Sequence, residues 1–373
     1  MLSGDSPQAT GGLAVSMTTM HRLVLLLAFV SSILSLQPSL AAEPPAVTVT
    51  NIRRVFHNGE HNAFTDLVRF KGQLYLCFRS CPDGHMVFNT ASTIILRSTD
   101  EGATWQPVHR FSVKDRDTRD PHFLVFKDRL FVYTGTWWSG PGKIEPKEYD
   151  MNKMLGFAVS SVDGTTWSEP TMLEGTFGHY IWRAATLGGK AYLCGRRKPG
   201  FDITAKGEGE KVQSLMLESD DGLVWKKRAY FTETAGDETA FLFENDGSLL
   251  AIGRHGGGKE ALLIRSKPPF IEWDRKSLDR AVGGPLVAKW GEHVLVGGRH
   301  TTKEKGAKTS LCWLIGEQLH EFAELPSGGD NSYPGFIELS PTKGLISWYS
   351  SHEKDEAGKT ITAIYMAGLN LAR

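Results

Sequence analysis

The chain has 373 residues, with 42 Lys+Arg against 42 Asp+Glu, 40% hydrophobic residues and 23% charged ones. This is the balance of an ordinary globular protein. Zero formal net charge, with no run of five like charges, excludes a general nucleic-acid binder, which needs a Lys/Arg excess to neutralise phosphates.

In chain order, His21-Arg22 precedes the apolar run Leu23 to Val30, which fades by Leu36 and gives way to Ser39, Ala41 and Ala42. A basic flank, an apolar centre and a small-residue cleavage site predict a signal peptide over 1–42, starting at Met1, Met17 or Met20 and cut after Ala41 or Ala42. The run is shorter than the ~18–20 apolar residues of a membrane span. The expectation is an exported protein, secreted or periplasmic, with no span left after cleavage. Residues 43–373 then read as one domain. Export would permit disulfides among Cys77, Cys81, Cys194 and Cys312. A local Cys77–Cys81 bridge is one option, since the two flank the end of one predicted strand.

A hairpin pattern then recurs six times: two apolar runs around a Gly/Asp/Asn turn. The copies are Asp66 to Leu76, His122 to Val132, Arg183 to Leu193, Thr239 to Ala251, Gly284 to Val296 and Pro334 to Ser347. Their spacing, from about 45 to about 60 residues, suits propeller blades. Between them stand four related octets. Ser98 to Trp105 reads Ser-Thr-Asp-Glu-Gly-Ala-Thr-Trp. Ser160 to Trp167 keeps Gly164, Thr166 and Trp167 but has Val162 at the Asp position; Glu218 to Trp225 keeps Asp220, Gly222 and Trp225; Ser266 to Trp273 keeps its two ends. The Asp should bond the turn's own backbone, and the Gly should supply a positive φ.

These octets resemble the Asp-box, or bacterial neuraminidase repeat, of the sialidase superfamily, and the resemblance covers nearly all of the chain after residue 42. It implies an all-β, six-bladed β-propeller. In such a ring, Val47 to Val55 would complete the last blade beside Thr360 to Leu371, removing the exposed edge. The boxes would lie on the outer rim, with the chemistry at the channel mouth, where first strands start and second strands end.

Those positions are rich in Arg, His and aromatic residues, a lining suited to an anionic sugar. The resemblance implies specific roles. Glu238 looks like the fourth-blade glutamate base and Tyr333, in Asn-Ser-Tyr-Pro-Gly-Phe, like the sixth-blade tyrosine nucleophile. Arg254 and Arg299 match carboxylate-binding arginines, and Asp83, in the loop after the first hairpin, is the candidate general acid. Arg119, Trp182 and Arg183 are further candidates for substrate contact. One departure stands out. Where the family begins its first blade with Arg-Ile-Pro, this chain has Ala63-Phe64-Thr65, so the first arginine of the triad is absent.

The expected activity is therefore a sialidase-like exo-glycosidase acting on sialic acid or a related acidic sugar. The expected partner is a glycan, and the protein a monomer. No cofactor or metal is expected, since the histidines lack the spacing of a metal motif. Two rival classes remain open: a uronate lyase using His122, His255 or His300 as base, and a glycan-binding propeller without turnover.

Overall fold

The computed structural model describes residues 44–142, 144–202 and 211–372; the predicted signal peptide lies outside them. Six four-stranded antiparallel sheets follow one another along the chain. Blade I comprises β2 (His61–Phe70), β3 (Gln73–Cys81), β4 (Ser92–Ser98) and β5 (Gln106–Phe111), after β1 (Val47–Phe56). Blade II is β6 (Arg116–Phe126), β7 (Arg129–Trp138), β8 (Leu155–Ser161) and β9 (Thr171–Met172). Blade III is β10 (Tyr180–Leu187), β11 (Lys190–Arg197), β12 (Gln213–Ser219) and β13 (Lys226–Thr232). Blade IV is β14 (Gly236–Phe243), β15 (Leu249–His255), β16 (Leu262–Ser266) and β17 (Trp273–Ser277). Blade V is β18 (Gly283–Trp290), β19 (His293–Thr302), β20 (Gly306–Ile315) and β21 (Gln318–Leu325). Blade VI is β22 (Asn331–Ser340), β23 (Lys343–Lys354) and β24 (Thr360–Leu371), and β1 is its fourth strand.

Each first strand packs on the first strands of both neighbouring blades, in the order β2, β6, β10, β14, β18, β22 and back to β2, so the ring is closed. β1 runs antiparallel to β24, from Val47 opposite Leu371 to Phe56 opposite Ile364. This is a six-bladed β-propeller. No described helix is long and apolar enough to cross a membrane.

Sequence pattern and layer agree. The second strands are covered on both faces, which is why Leu74 to Phe78 is a continuous apolar run rather than an alternating one. The fourth strands face solvent and alternate or shrink, down to the two residues of β9. Two-residue turns join the first and second strands of every blade but the fourth, and those of blades I, II and III are of one kind. Their central residues, Lys71-Gly72, Lys127-Asp128 and Gly188-Gly189, all have positive φ, as a type I′ hairpin requires.

The octets occupy the turns between third and fourth strands, but their register differs from the aligned reading. In blade I, Asp100 Oδ1 accepts from Thr104 N at 2.9 Å, Ser98 Oγ receives Gly102 N at 2.8 Å, and Trp105 Nε1 donates to Gly102 O at 3.1 Å. In blades II and III the serine and aspartate of the turn stand one residue later in the octet, and Trp167 Nε1 and Trp225 Nε1 lack the tryptophan bond. Asp163 accepts from Thr165 N and Thr166 N, and Asp221 from Leu223 N and Val224 N, while Ser161 and Ser219 take the glycine N–H groups. Val162 is thus no defect, and Asp220 instead pairs with Lys190 on the surface. The octet glycines also join blades. A Cβ on Gly164 would overlap the Tyr75 hydroxyl of blade I, and Tyr133 of blade II donates to Gly222 O of blade III at 3.0 Å.

All four cysteines are free and buried. The Cys77–Cys81 bridge is ruled out by geometry: four residues along one extended strand span about 13 Å, twice the Cα separation a disulfide tolerates.

Candidate active site

One irregularity builds the channel mouth. Every first strand carries a β-bulge near its start, with two residues opposing one on the second strand: Phe64-Thr65, Asp120-Pro121, Trp182-Arg183, Asp237-Glu238, Gly284-Pro285 and Tyr333-Pro334. A bulge bends the strand and re-aims its side chains. Phe64, Asp120, Gly284 and Tyr333 have positive φ there, a costly conformation for the three non-glycines that concentrates at functional sites.

The bulges of blades IV and VI bring Glu238 and Tyr333 together. Tyr333 Oη donates to Glu238 Oε1 at 2.7 Å. The second oxygen, Oε2, accepts from Arg254 Nη1 at 2.9 Å and from the Gly284 amide at 3.2 Å. Arg254 Nη1 also reaches Tyr333 Oη at 3.4 Å. Gly284 must be glycine, because a Cβ would come within 2.6 Å of the Tyr333 ring. Burial alone would raise the Glu238 pKa, but the charges of Arg254 and Arg196 and the Tyr333 hydroxyl hold it below the ordinary range. Burial, reinforced by the Glu238 charge, pushes the Tyr333 phenol well above its ordinary value. At neutral pH the pair is a neutral phenol hydrogen-bonded to a carboxylate.

Three guanidinium groups surround Tyr333. Arg254 also lies 3.4 Å from Asp237. Arg299 sits over the Tyr333 ring at 5.6 Å and reaches Asp330 at only 3.7 Å. Phe64, next to Ala63 at the position where the family has its first-blade arginine, packs edge-on to Tyr333 with centroids 4.9 Å apart. Above that ring, at 5.2 Å, lies Arg119, whose buried Nε has no hydrogen-bond partner.

Other candidates lie elsewhere. Asp83 is exposed and accepts from Thr90 Oγ1 at 2.5 Å within its own loop. Arg183 is tied to the protein through all three nitrogens: Nη1 meets Asp66 at 3.1 Å, Nε donates to Pro285 O at 2.9 Å and Nη2 to Pro334 O at 2.7 Å. It clasps blades I, III, V and VI together in the channel. Trp182 is 1% exposed, packed edge-on to Tyr333 and His122, and forms part of the floor. His122 is buried beside Asp66 at 3.5 Å, His255 binds the Gly256 carbonyl, and His300 faces Glu321 at 3.8 Å.

Two site residues escaped the sequence reading. Asp120 is buried in the blade II bulge, where Oδ2 accepts from Tyr180 Oη and Oδ1 has no partner. Burial, against the charge of Arg119, raises its pKa. Its place at a first-strand start was the available signal. His85 sits in the Asp83 loop, its Nδ1 2.7 Å from Asp330 Oδ2; a lone loop histidine carries no sequence signal.

No protein-family model matches the chain. Among solved structures it resembles a protein of unknown function from Dyadobacter fermentans, at 18% identity and TM-score 0.72 over 88% of this chain and 100% of that one. Trypanosoma rangeli sialidase is similar at 14% identity and TM-score 0.61, over 87% of this chain and 60% of that chain. A variant of NanB sialidase from Streptococcus pneumoniae is similar at 12% identity and TM-score 0.63, over 88% and 71%. This chain therefore spans less than two thirds of the trypanosomal enzyme. At these identities the likeness is one of fold, the six-bladed propeller of sialidases.

Proposed function

We propose that the protein is a retaining exo-glycosidase acting on an anionic sugar, with Tyr333 as nucleophile and Glu238 as its base. The observation that carries this is the 2.7 Å hydrogen bond between two side chains 95 positions apart, inside a set of arginines. Sialidases depart from the two-carboxylate pattern of glycosidases by using tyrosine. A neutral phenol approaches an anomeric carbon bearing a carboxylate without the repulsion an aspartate would meet. Glu238, held ionised by Arg254, takes the phenol proton as Tyr333 Oη bonds the anomeric carbon. Arg254 and Arg299 would hold the substrate carboxylate through charge-assisted bonds, with Arg119 over Phe64 supplying the third guanidinium. The T. rangeli sialidase has been solved with sialic acid and as a covalent intermediate with 2,3-difluorosialic acid, which supports the same covalent chemistry here.

The test is a screen with 4-methylumbelliferyl glycosides of sialic acid, of glucuronic acid and of neutral sugars. Release of fluorophore from an anionic glycoside is expected, with loss of several orders of magnitude in Tyr333→Phe and a smaller loss in Glu238→Gln. An unsaturated uronate product would instead identify a lyase. Undiminished turnover in Tyr333→Phe, or glycan binding without turnover of any glycoside, would overturn the proposal.

A further inference from the structure

We propose that His85 is the acid/base residue of this site, protonating the leaving oxygen and later deprotonating the attacking water; this rests on the tyrosine-nucleophile reading above. It takes the role the sequence suggested for Asp83, two residues earlier.

The loop from β3 to β4 is built to hold residue 85. Arg79, fully buried, grips both oxygens of Asp117 at 2.9 Å. Its remaining donors reach Gly84 O and Met86 O, each at 3.0 Å, the carbonyls on either side of His85. The His85 carbonyl itself accepts from Arg119 Nη2 at 2.6 Å. Val87 N and Phe88 N are held by Tyr149 Oη and Asp117. The backbone is pinned at every position from 84 to 88, while the imidazole remains 46% exposed. Its ring packs edge-on to Phe64 at 5.9 Å, and Phe64 packs on Tyr333. Phe64 thus touches both His85 and Tyr333.

The tautomer follows from the partner. Asp330 receives His85 Nδ1 at 2.7 Å and His61 Nε2 at 3.0 Å on one oxygen, and Tyr349 Oη at 2.8 Å on the other, with Arg299 at 3.7 Å. Tyr349 Oη donates to it and the Arg299 guanidinium stands beside it, so Asp330 is a carboxylate. Despite burial, the two imidazoles hold its pKa far down. His85 therefore donates from Nδ1 to Asp330 and leaves Nε2 for the substrate, the logic of a base oriented by a carboxylate. His61, His85 and Asp330 also bring their ligating atoms within 4.8 Å of one another. The adjoining Arg299, and the Arg79 charge felt by His61, oppose a cation there.

In the first half-reaction, protonated His85 gives its Nε2 proton to the glycosidic oxygen as the C–O bond breaks. The Tyr333–carbon bond forms and Glu238 takes the phenol proton. In the second, neutral His85 takes a proton from water as its oxygen bonds the anomeric carbon. Glu238 then returns its proton to the departing Tyr333 oxygen. Glycoside plus water becomes sugar plus alcohol, and every group is restored.

The test compares leaving groups on an anionic glycoside, 4-methylumbelliferyl against methyl, in wild type, His85→Ala and Tyr333→Phe. Loss of a general acid costs about 10²–10⁴-fold. The methyl glycoside should suffer that loss in His85→Ala, while the activated aryl glycoside loses less than about tenfold, and the alkaline limb of kcat/KM should vanish. Equal losses on both substrates, or none on the methyl glycoside, with Tyr333→Phe inactive, would overturn the role of His85 alone. An active Tyr333→Phe would instead remove the nucleophile reading. Should no glycoside be turned over, ¹⁵N spectra of the imidazoles decide: neutral His85 protonated on Nδ1 supports the assignment, and the Nε2–H tautomer overturns it. Activity abolished by EDTA and restored by Zn²⁺ would give His61, His85 and Asp330 to a metal, also overturning it.

Discussion

Gly284→Ala tests the site without touching any group assigned to chemistry. The new Cβ would lie 2.6, 2.7 and 2.8 Å from three carbons of the Tyr333 ring. Ordinary contact begins near 3.5 Å, so the ring must retreat by about 0.9 Å. Phe64, Trp182 and Tyr349 crowd its other sides at centroid distances of 4.9, 6.2 and 6.0 Å, so the shift cannot be absorbed freely. The Tyr333–Glu238 bond, 2.7 Å at rest, would lengthen past hydrogen-bond range, and the Gly284 amide would be drawn off Glu238. A displacement of about 1 Å in a reacting group costs on the order of 10²-fold, and overpacking about 1–3 kcal/mol of stability. Gly291→Ala is the control: φ is +56° against +58° at Gly284, with nothing within 4 Å of its Cβ, so it suffers only backbone strain. Measured together as kcat on the aryl glycoside and midpoint in urea, Gly284→Ala should lose ~100-fold in kcat and Gly291→Ala almost none. A kcat within twofold of wild type in Gly284→Ala, or equal losses in both, would refute the reasoning.

Three further outcomes are expected. Arg299→Lys should raise KM for an anionic aryl glycoside about tenfold or more, because an ammonium lacks the planar fork; an unchanged KM would place Arg299 outside the anion site. Arg183→Leu should cost about 3–5 kcal/mol in urea unfolding, since it leaves the Asp66 carboxylate buried without its cation; a loss below about 1 kcal/mol would contradict its role as a clasp. Asp120 has its pKa raised by burial and by Glu238, from 3.8 to about 7. The fold retains a proton the unfolded chain has released, so stability falls as pH rises from about 4 to about 7, by at most about 4 kcal/mol. Asp120→Asn should gain on wild type across that window, and parallel stability curves from pH 4 to 7 would disprove the shift.

Features that depend on local chemistry could be read from the chain. Six apolar hairpins, the type I′ turns and the closing strand from Val47 follow from burial periodicity and turn residues. Glu238 and Tyr333 stand among the first-strand starts that converge in any propeller, and the resemblance to sialidases is what singled them out there. What escaped depended on register or on the third dimension. A bulge adds one residue without changing composition, so nothing in Trp182-Arg183 reveals that the ring lies beneath Tyr333 while the guanidinium spends itself on two carbonyls from other blades. The shape of the loop that carries Asp83 and His85 was not legible either, because the carbonyls that Arg79 and Arg119 hold leave no trace in side-chain identity. The shifted octets of blades II and III have the same cause: Ser161-Val162-Asp163 and Ser160-Ser161-Val162 differ by one step that only backbone bonds settle.

The closure of blade VI also dictates an order of assembly. Val47 pairs with Leu371, and Ala372 N donates to Ala46 O at 2.9 Å, so the first strand has no partner until almost the whole chain exists. Five blades are complete in consecutive sequence and can form locally, whereas the sixth must close a loop spanning the entire ring. That closure carries the largest entropic cost in the fold and comes last. Until then β1 and β24 are both open strand edges, the part of the chain most exposed to pairing with another molecule. Tyr333 stands in the first strand of the same sheet, so the blade that carries it is complete only when β1 has met β24.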